Sequence, residues 1–373
     1  MNRARTRRTL LKQAPYLLGT VAVSSAPALR AQVSMKATWL QPDEGHAHER
    51  TWMAFGASRS IWGRSLLPEV RLNLATIAKA IARFEPVTML VRPEERAIAE
   101  ELVGDAAQLA EVALDDLWIR DTGPVFVVGP NGQKAAIDFN FNGWGGKQRH
   151  RNDAKVAEFV AKQAGVPILS TDLVLEGGGI EVDGEGTAVI AESCVLNRNR
   201  NPGLSKSEVE DRLMPLLGLE RIIWLPGLRG WDITDGHTDF YARFVRPGVI
   251  VAGLESDPDS PDYGVTRRNR EILESATDAK GRRLEVLLLE SPEHIRPRID
   301  GEDFAAGYVG FYVCNGGVIL QEFGDQVADR KAHEVLRAAF PNREIVQIPI
   351  DGIAAGGGSV HCATQQEPRS TQL

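Results

Sequence analysis

A cysteine, a histidine and three carboxylates stand at glycine-rich turns spread along this chain. Cys362 follows Gly356-Gly357-Gly358-Ser359-Val360-His361, after an apolar run from Ile345 to Ile353. Glycine lets the backbone approach a ligand closely and adopt positive φ. A thiol presented after Gly357 and Gly358 is a candidate nucleophile, with a buried structural cysteine as the alternative. His237 lies in Gly236-His237-Thr238-Asp239, ahead of a β-rich run. Strand alternation would put His237 and Asp239 on one side, as base and charge partner. The alternative is a histidine bonded within the core. Asp121 ends Trp118-Ile119-Arg120-Asp121, where it either faces a ligand or pairs with Arg120. Trp118 offers an indole wall on which a planar cation stacks. Glu176 ends the apolar run Leu173-Val174-Leu175 and precedes three glycines. Together these groups are equipped to attack a cationic carbon.

Other polar groups read as weaker candidates. His46-Ala47-His48 looks like a metal pair but lacks further ligands. His361 adjoins Cys362, and neighbouring strand residues point to opposite faces, so it reads as a poor base for that thiol. Cys194 and Cys314 sit in apolar, strand-like surroundings and read as buried small hydrophobes. No Walker or dinucleotide fingerprint occurs.

The elements that must position these residues alternate between short β-rich runs and amphipathic helices. Helices are predicted over Leu66–Phe84, Asp153–Ala164 and Gln326–Phe340, the last placing Val327, His333 or Ala332, Leu336 and Phe340 near one face. Ser205-Lys206-Ser207-Glu208 is a capping box that opens a helix through Leu217. Strands are predicted at 87–91, 125–128, 135–139, 187–191, 221–225, 240–246, 249–253, 284–289, 308–315, 318–321 and 344–348. Gly129-Pro130-Asn131-Gly132 and Asp183-Gly184-Glu185-Gly186 join strand pairs as hairpins, and Asp257 to Tyr263 reads as a surface loop. Polar turns recur at Asp121, Glu176, His237, Asn315 and Cys362. That weak period fits repeated ββαβ modules around a centre, with all five turns at one mouth. An ordinary α/β sheet with helices on both faces is the other solution.

Residues 1–31 carry six basic side chains and no acid, with an apolar stretch from Pro15 to Ala28. This is the pattern of an export signal, and Arg7-Arg8 gives it a twin-arginine form, with cleavage near Ala28 or Ala31. The expected location is periplasmic or secreted, with residues 32–373 as a single catalytic domain. The whole chain has a net charge of −7, and the part after the leader carries −13. That balance argues against nucleic acid as a partner and mildly favours a small cationic ligand. No later segment is apolar enough to span a membrane. A homo-oligomer is compatible with this composition.

Taken together, the motifs resemble those of the agmatine deiminase family, within the guanidine-modifying pentein superfamily. The resemblance runs through Glu49-Arg50-Thr51-Trp52-Met53, Trp118-Ile119-Arg120-Asp121-Thr122-Gly123-Pro124, Leu175-Glu176-Gly177-Gly178, Asn197-Arg198-Asn199, Asp235-Gly236-His237-Thr238-Asp239 and Asn315-Gly316-Gly317 to Gly356–Gln366. It implies an α/β fold, a five-bladed α/β propeller, that hydrolyses a guanidinium to release ammonia. By the same resemblance Cys362 would be the nucleophile, His237 the general acid and base, and Glu176 its support. Asp121 and Asp239 would grip the guanidinium nitrogens, and no metal or organic cofactor is needed. The expected substrate is agmatine, giving N-carbamoylputrescine. The alternatives are an exported peptidylarginine or free-arginine deiminase, or a non-catalytic polyamine-binding protein.

Overall fold

The computed structural model describes residues 39–296 and 304–370. The leader, residues 1–31, lies outside the described residues. Among the described residues, sixteen strands build five separate sheets, and four of the sheets are assembled alike. In each of the four, a hairpin gives an antiparallel pair and a helical crossover adds a parallel third strand. The first is β4 (Val125–Val128), β5 (Lys134–Asp138) and β6 (Ile168–Ser170). The second is β7 (Ile180–Val182), β8 (Thr187–Ala191) and β9 (Arg221–Leu225). The third is β10 (Ala242–Arg246), β11 (Val249–Leu254) and β12 (Glu285–Glu290). The fourth is β13 (Tyr312–Cys314), β14 (Gly317–Glu322) and β15 (Glu344–Pro349).

The fifth sheet joins the two ends of the described chain. β1 (His48–Ala54) pairs antiparallel with β16 (Gln365–Pro368) and parallel with β2 (Val87–Val91), and β3 (Gln108–Glu111) lies beyond. This pairing keeps Cys362, three residues ahead of β16, close to residues from the first third of the chain.

The crossovers among the described residues are the helices Arg59–Ile81, Arg96–Val103, Val156–Ala164, Lys206–Leu217, Asp262–Ser275 and Gln326–Ala339. A parallel neighbour needs such a crossover, because a tight turn can only reverse a strand. The Ser205–Glu208 capping box forms as read from the sequence. The strands at 87–91, 125–128, 187–191 and 221–225 also fall where they were expected.

Three expectations fail for identifiable reasons. The strand predicted from Phe240 begins at Ala242, because Thr238–Phe240 is a 3₁₀ turn. Thr238 Oγ1 donates to the Gly179 carbonyl and accepts from the Ala191 amide, which pins that turn to the neighbouring sheet. His237 and Asp239 are therefore not alternating strand residues. The strand predicted over 308–315 shrinks to Tyr312–Cys314, since the backbone at Gly310 passes tightly against Ser359. Val327 is 76% exposed rather than part of the helix's buried face, which is Asp329, Ala332, Leu336 and Ala339. The buried carboxylate of Asp329 is tolerated because it accepts from Tyr308 Oη and from the amides of Phe323 and Gly324.

Candidate active site

Four loop segments bring the chemistry-bearing residues together. Asp121 lies in the helical turn Ile119–Thr122, just before β4. Glu176 precedes the turn Gly177–Gly179, just before β7. His237 and Asp239 flank Thr238 in the turn before β10. Cys362 is the middle residue of the 3₁₀ turn His361–Ala363, just before β16. Each therefore sits ahead of an edge strand that pairs antiparallel with its neighbour, which is why equivalent positions in separate sheets meet.

Gly178 marks the meeting point. A Cβ placed there would lie 2.6 Å from His237 Nδ1, 2.9 Å from Asp121 Oδ1 and 3.0 Å from Asp239 Oδ2. Only glycine leaves that space open. Its own amide donates to Asp121 Oδ1 at 3.0 Å, while Trp144 Nε1 donates to Asp121 Oδ2 at 2.9 Å. His237 Nδ1 stands 3.7 Å from Asp121 Oδ2, and its Nε2 is 3.3 Å from Glu176 Oε2. Glu176 Oε1 accepts from Arg200 Nε at 2.9 Å. Cys362 Sγ lies 3.7 Å from Asp239 Oδ2 and 3.3 Å from Ser359 Oγ. Asp239 Oδ1 is buried and has no hydrogen-bond partner.

The five expected catalytic residues, Cys362, His237, Glu176, Asp121 and Asp239, thus share one buried cluster. Trp118 supports it from beneath. A Cβ at Gly358 would fall 2.1 Å from the Trp118 ring, so the loop before Cys362 rests directly on the indole. Gly357 carries the left-handed turn, at φ 84°. Arg120 does not pair with Asp121. It bridges to Glu44 at 2.9 Å and donates to Gln366 Oε1 at 2.7 Å, which leaves the neighbouring aspartate facing the cluster. His48 binds Glu85 and the Glu44 carbonyl, so it belongs to the scaffold.

Several contributors escaped sequence reasoning. His361 was set aside by strand alternation, but it lies in a 3₁₀ turn. Its Nδ1 is 2.7 Å from Asp239 Oδ2, and its Nε2 is 2.9 Å from Glu44 Oε2. Glu44, far away in sequence, carries only the glycine beside it, Gly45, as a local signal. Trp144 did carry one: it is a tryptophan among glycines, in Gly143-Trp144-Gly145-Gly146, held at φ 54°. Cys194 is buried as expected, yet its Sγ reaches Glu176 Oε2 at 3.4 Å.

Electrostatics follow from these contacts. Burial disfavours ionised Glu176, but Arg200 and His237 outweigh it and hold the carboxyl down at about 2. Burial also opposes charge on His237, yet Asp121, Cys194 and Glu176 raise it well above the usual imidazole range. Asp239 is lowered against burial by its contact with His361, whereas burial and the nearby Glu176 and Asp239 raise Asp121. Burial, reinforced by Asp239 and Asp121, pushes the Cys362 thiol well above its ordinary value. These contacts favour an imidazolium at His237 and a neutral thiol at Cys362.

Residues 40–368 match the family of Porphyromonas-type peptidyl-arginine deiminases. The chain belongs to that family. Among the family's relatives, a Streptomyces coelicolor protein provisionally named as an agmatine deiminase is 44% identical, over 89% of this chain and all of its own length. The agmatine deiminase of Pseudomonas aeruginosa is 37% identical, over 88% of this chain and 95% of its own. In three dimensions, an agmatine deiminase of Enterococcus faecalis superposes with a TM-score of 0.83 at 32% identity, covering 90% of this chain and 97% of that one. The fold is thus the mixed α/β fold of the pentein superfamily, as the motifs implied.

Proposed function

We propose that this chain is a hydrolase that deiminates agmatine to N-carbamoylputrescine and ammonia. The observation that carries the reading is the unpartnered, buried Oδ1 of Asp239, beside Asp121 and 3.7 Å on its other oxygen from Cys362 Sγ. A buried carboxylate oxygen without a donor is costly unless a ligand supplies one. A guanidinium supplies planar, charge-assisted donors that suit two carboxylates at once.

The same geometry orders the chemistry. A guanidinium is resonance-stabilised, and gripping its nitrogens between Asp121 and Asp239 localises positive charge on the carbon. The bound cation also offsets the two carboxylates that suppress ionisation of Cys362, so substrate itself favours the thiolate, the thiol's proton passing to solvent as substrate enters. Sulfur then attacks the carbon, and the C–N bond breaks as His237 gives its proton to departing ammonia. Neutral His237 next takes a proton from water, which attacks the thiouronium carbon. The S–C bond breaks, the hydroxyl proton of the departing ureido product passes to sulfur, and the resting thiol and imidazolium are restored. Glu176, fixed by Arg200, holds the imidazole in position throughout.

The agmatine deiminases among its relatives support agmatine over the alternatives. An ammonia assay across agmatine, free arginine and an arginine-containing peptide tests this. The expected result is turnover of agmatine at the highest kcat/KM. Preferred turnover of the peptide would instead support a peptidylarginine deiminase, and tight agmatine binding without ammonia a binding protein. In this reading the five sheets are the blades of a propeller in one catalytic domain. The basic leader with Arg7-Arg8 marks the chain for export by the twin-arginine route. Fractionation of cells expressing the full chain and an Arg7→Lys/Arg8→Lys variant tests this: activity is expected outside the cytoplasm for the first only.

A further inference from the structure

Cys194 takes no part in the reaction outlined above, yet it packs against the proton donor. It lies in the turn Glu192–Val195 at 1% exposure, with Sγ 3.4 Å from Glu176 Oε2. His237 Nε2 is 3.3 Å from that same oxygen. The sulfur, the ring nitrogen and the carboxylate oxygen all lie within 4.8 Å of one another. Thiolate, imidazole and carboxylate are the donor types that zinc takes. Ligand distances of about 2.0–2.3 Å at tetrahedral angles set donor atoms about 3.3–3.6 Å apart. The two separations to Glu176 already have that value.

We propose that Cys194 Sγ, His237 Nε2 and Glu176 Oε2 form a site for a soft divalent cation of the zinc type, whose occupation stops the reaction by removing His237 from proton transfer. The inhibitory half rests on the reading of His237 as the general acid.

Charge balance favours the exchange. The resting cluster holds the Arg200 guanidinium, the Glu176 carboxylate, the His237 imidazolium and the Cys194 thiol. An arriving dication displaces one proton from the imidazolium and one from the thiol. The buried net charge is then unchanged, which avoids the penalty of adding charge to a low-dielectric interior. The other charged groups facing the cluster are Asp239 beyond His237, and Asp235 on the far side of Arg200. Binding therefore strengthens as pH rises and releases up to two protons. Asp121 and Asp239 also draw cations towards the site.

Cobalt(II) is the coloured probe for this site. In a Cys362→Ala protein, which lacks the nucleophile's sulfur, a sulfur-to-cobalt charge-transfer band should saturate at one cation per chain. The band should vanish in Cys362→Ala/Cys194→Ser, since serine keeps the size and donor but removes the soft ligand. No band in the first protein, or equal bands in both, overturns the site. Should the double variant fail to fold, proton release on zinc binding to Cys362→Ala decides: one to two protons per cation support the site, and none overturns it. In the protein with Cys362 intact, zinc should inhibit ammonia release, and Cys194→Ser should need at least roughly tenfold more zinc for the same effect. Equal zinc sensitivity overturns the inhibitory role. A chain that deiminates no guanidine at all would overturn the enzymatic reading and the inhibition with it, while the cobalt spectra still decide the site.

Discussion

Two buried charge clusters meet at Asp239, and they are built differently. On one side, Glu44 gathers Arg120, Arg243 and His361, while Glu181 takes the other side of Arg243. All four carboxylate oxygens of Glu44 and Glu181 face donors, with the amides of Val313 and Phe244 completing the set. On the other side, Asp121, Glu176, His237 and Asp239 surround Gly178, and Asp239 Oδ1 has no donor. The first cluster ties segments distant in sequence into one scaffold. The second leaves charge incomplete where a cationic ligand completes it. The carboxylates of the first cluster are fully paired, whereas the second keeps an open carboxylate oxygen on the residue beside Cys362 Sγ.

The sharpest way to break this contrast is to neutralise one acid from each cluster. Asp239→Asn should cost kcat/KM for agmatine about a thousandfold or more, because it removes charge aimed at the reacting cation. Its melting temperature should fall by less than that of Glu44→Ala, since only one oxygen of Asp239 is paired, to His361. Glu44→Ala should behave in the opposite way. It strands two arginines and should destabilise the fold by about 3–5 kcal/mol, measured by denaturant unfolding. Its kcat/KM per folded molecule should fall by less than that of Asp239→Asn. Equal losses of activity with no loss of stability would erase the distinction.

His361 joins the two clusters and should show an intermediate effect. It acts through Asp239 rather than on substrate, so His361→Ala should lower kcat/KM by about ten- to a hundredfold. The loss should fall mainly on KM, because the grip on the guanidinium loosens while Cys362 and His237 stay in place.

Acid and base should act on the second cluster in opposite senses. Glu176 is depressed from 4.5 to about 2, so its contribution to stability is full above pH 4.5 and is lost as pH falls towards 2. His237 is raised, so its contribution is full below its unfolded value and is lost as pH rises through its folded one. Unfolding midpoints across pH, compared between the unsubstituted protein and Glu176→Gln, check the acid limb. The smaller expected effect is a shallower acid limb in the variant.

The sequence exposes the second cluster better than the first, for a physical reason. Cys362, His237, Glu176, Asp121 and Asp239 each stand beside glycine turns, where close backbone approach leaves a local mark. Glu44, although it too precedes a glycine (Gly45), and Arg243 are 199 positions apart with no pattern that links them, and only the folded chain brings them together. Strand positions were legible where apolar runs were continuous, as at Val87–Val91. They blurred where 3₁₀ turns replace strand ends, at Thr238–Phe240 and His361–Ala363. Both errors concern the site itself, because those turns aim His237, Asp239 and His361 inward. The expected face of the helix Gln326–Ala339 was wrong for a related reason: a satisfied polar residue, Asp329, occupies a buried position that hydrophobic patterning assigns to an apolar one.

The central claim is that Cys362 Sγ attacks a guanidinium carbon held by Asp121 and Asp239. Acid-quenching the protein during agmatine turnover, followed by peptide mass analysis, tests it most directly. The account predicts a substrate-derived adduct on the peptide containing Cys362, absent together with ammonia release in Cys362→Ala. Ammonia released by Cys362→Ala at an undiminished rate, or an adduct on a different residue, would contradict it.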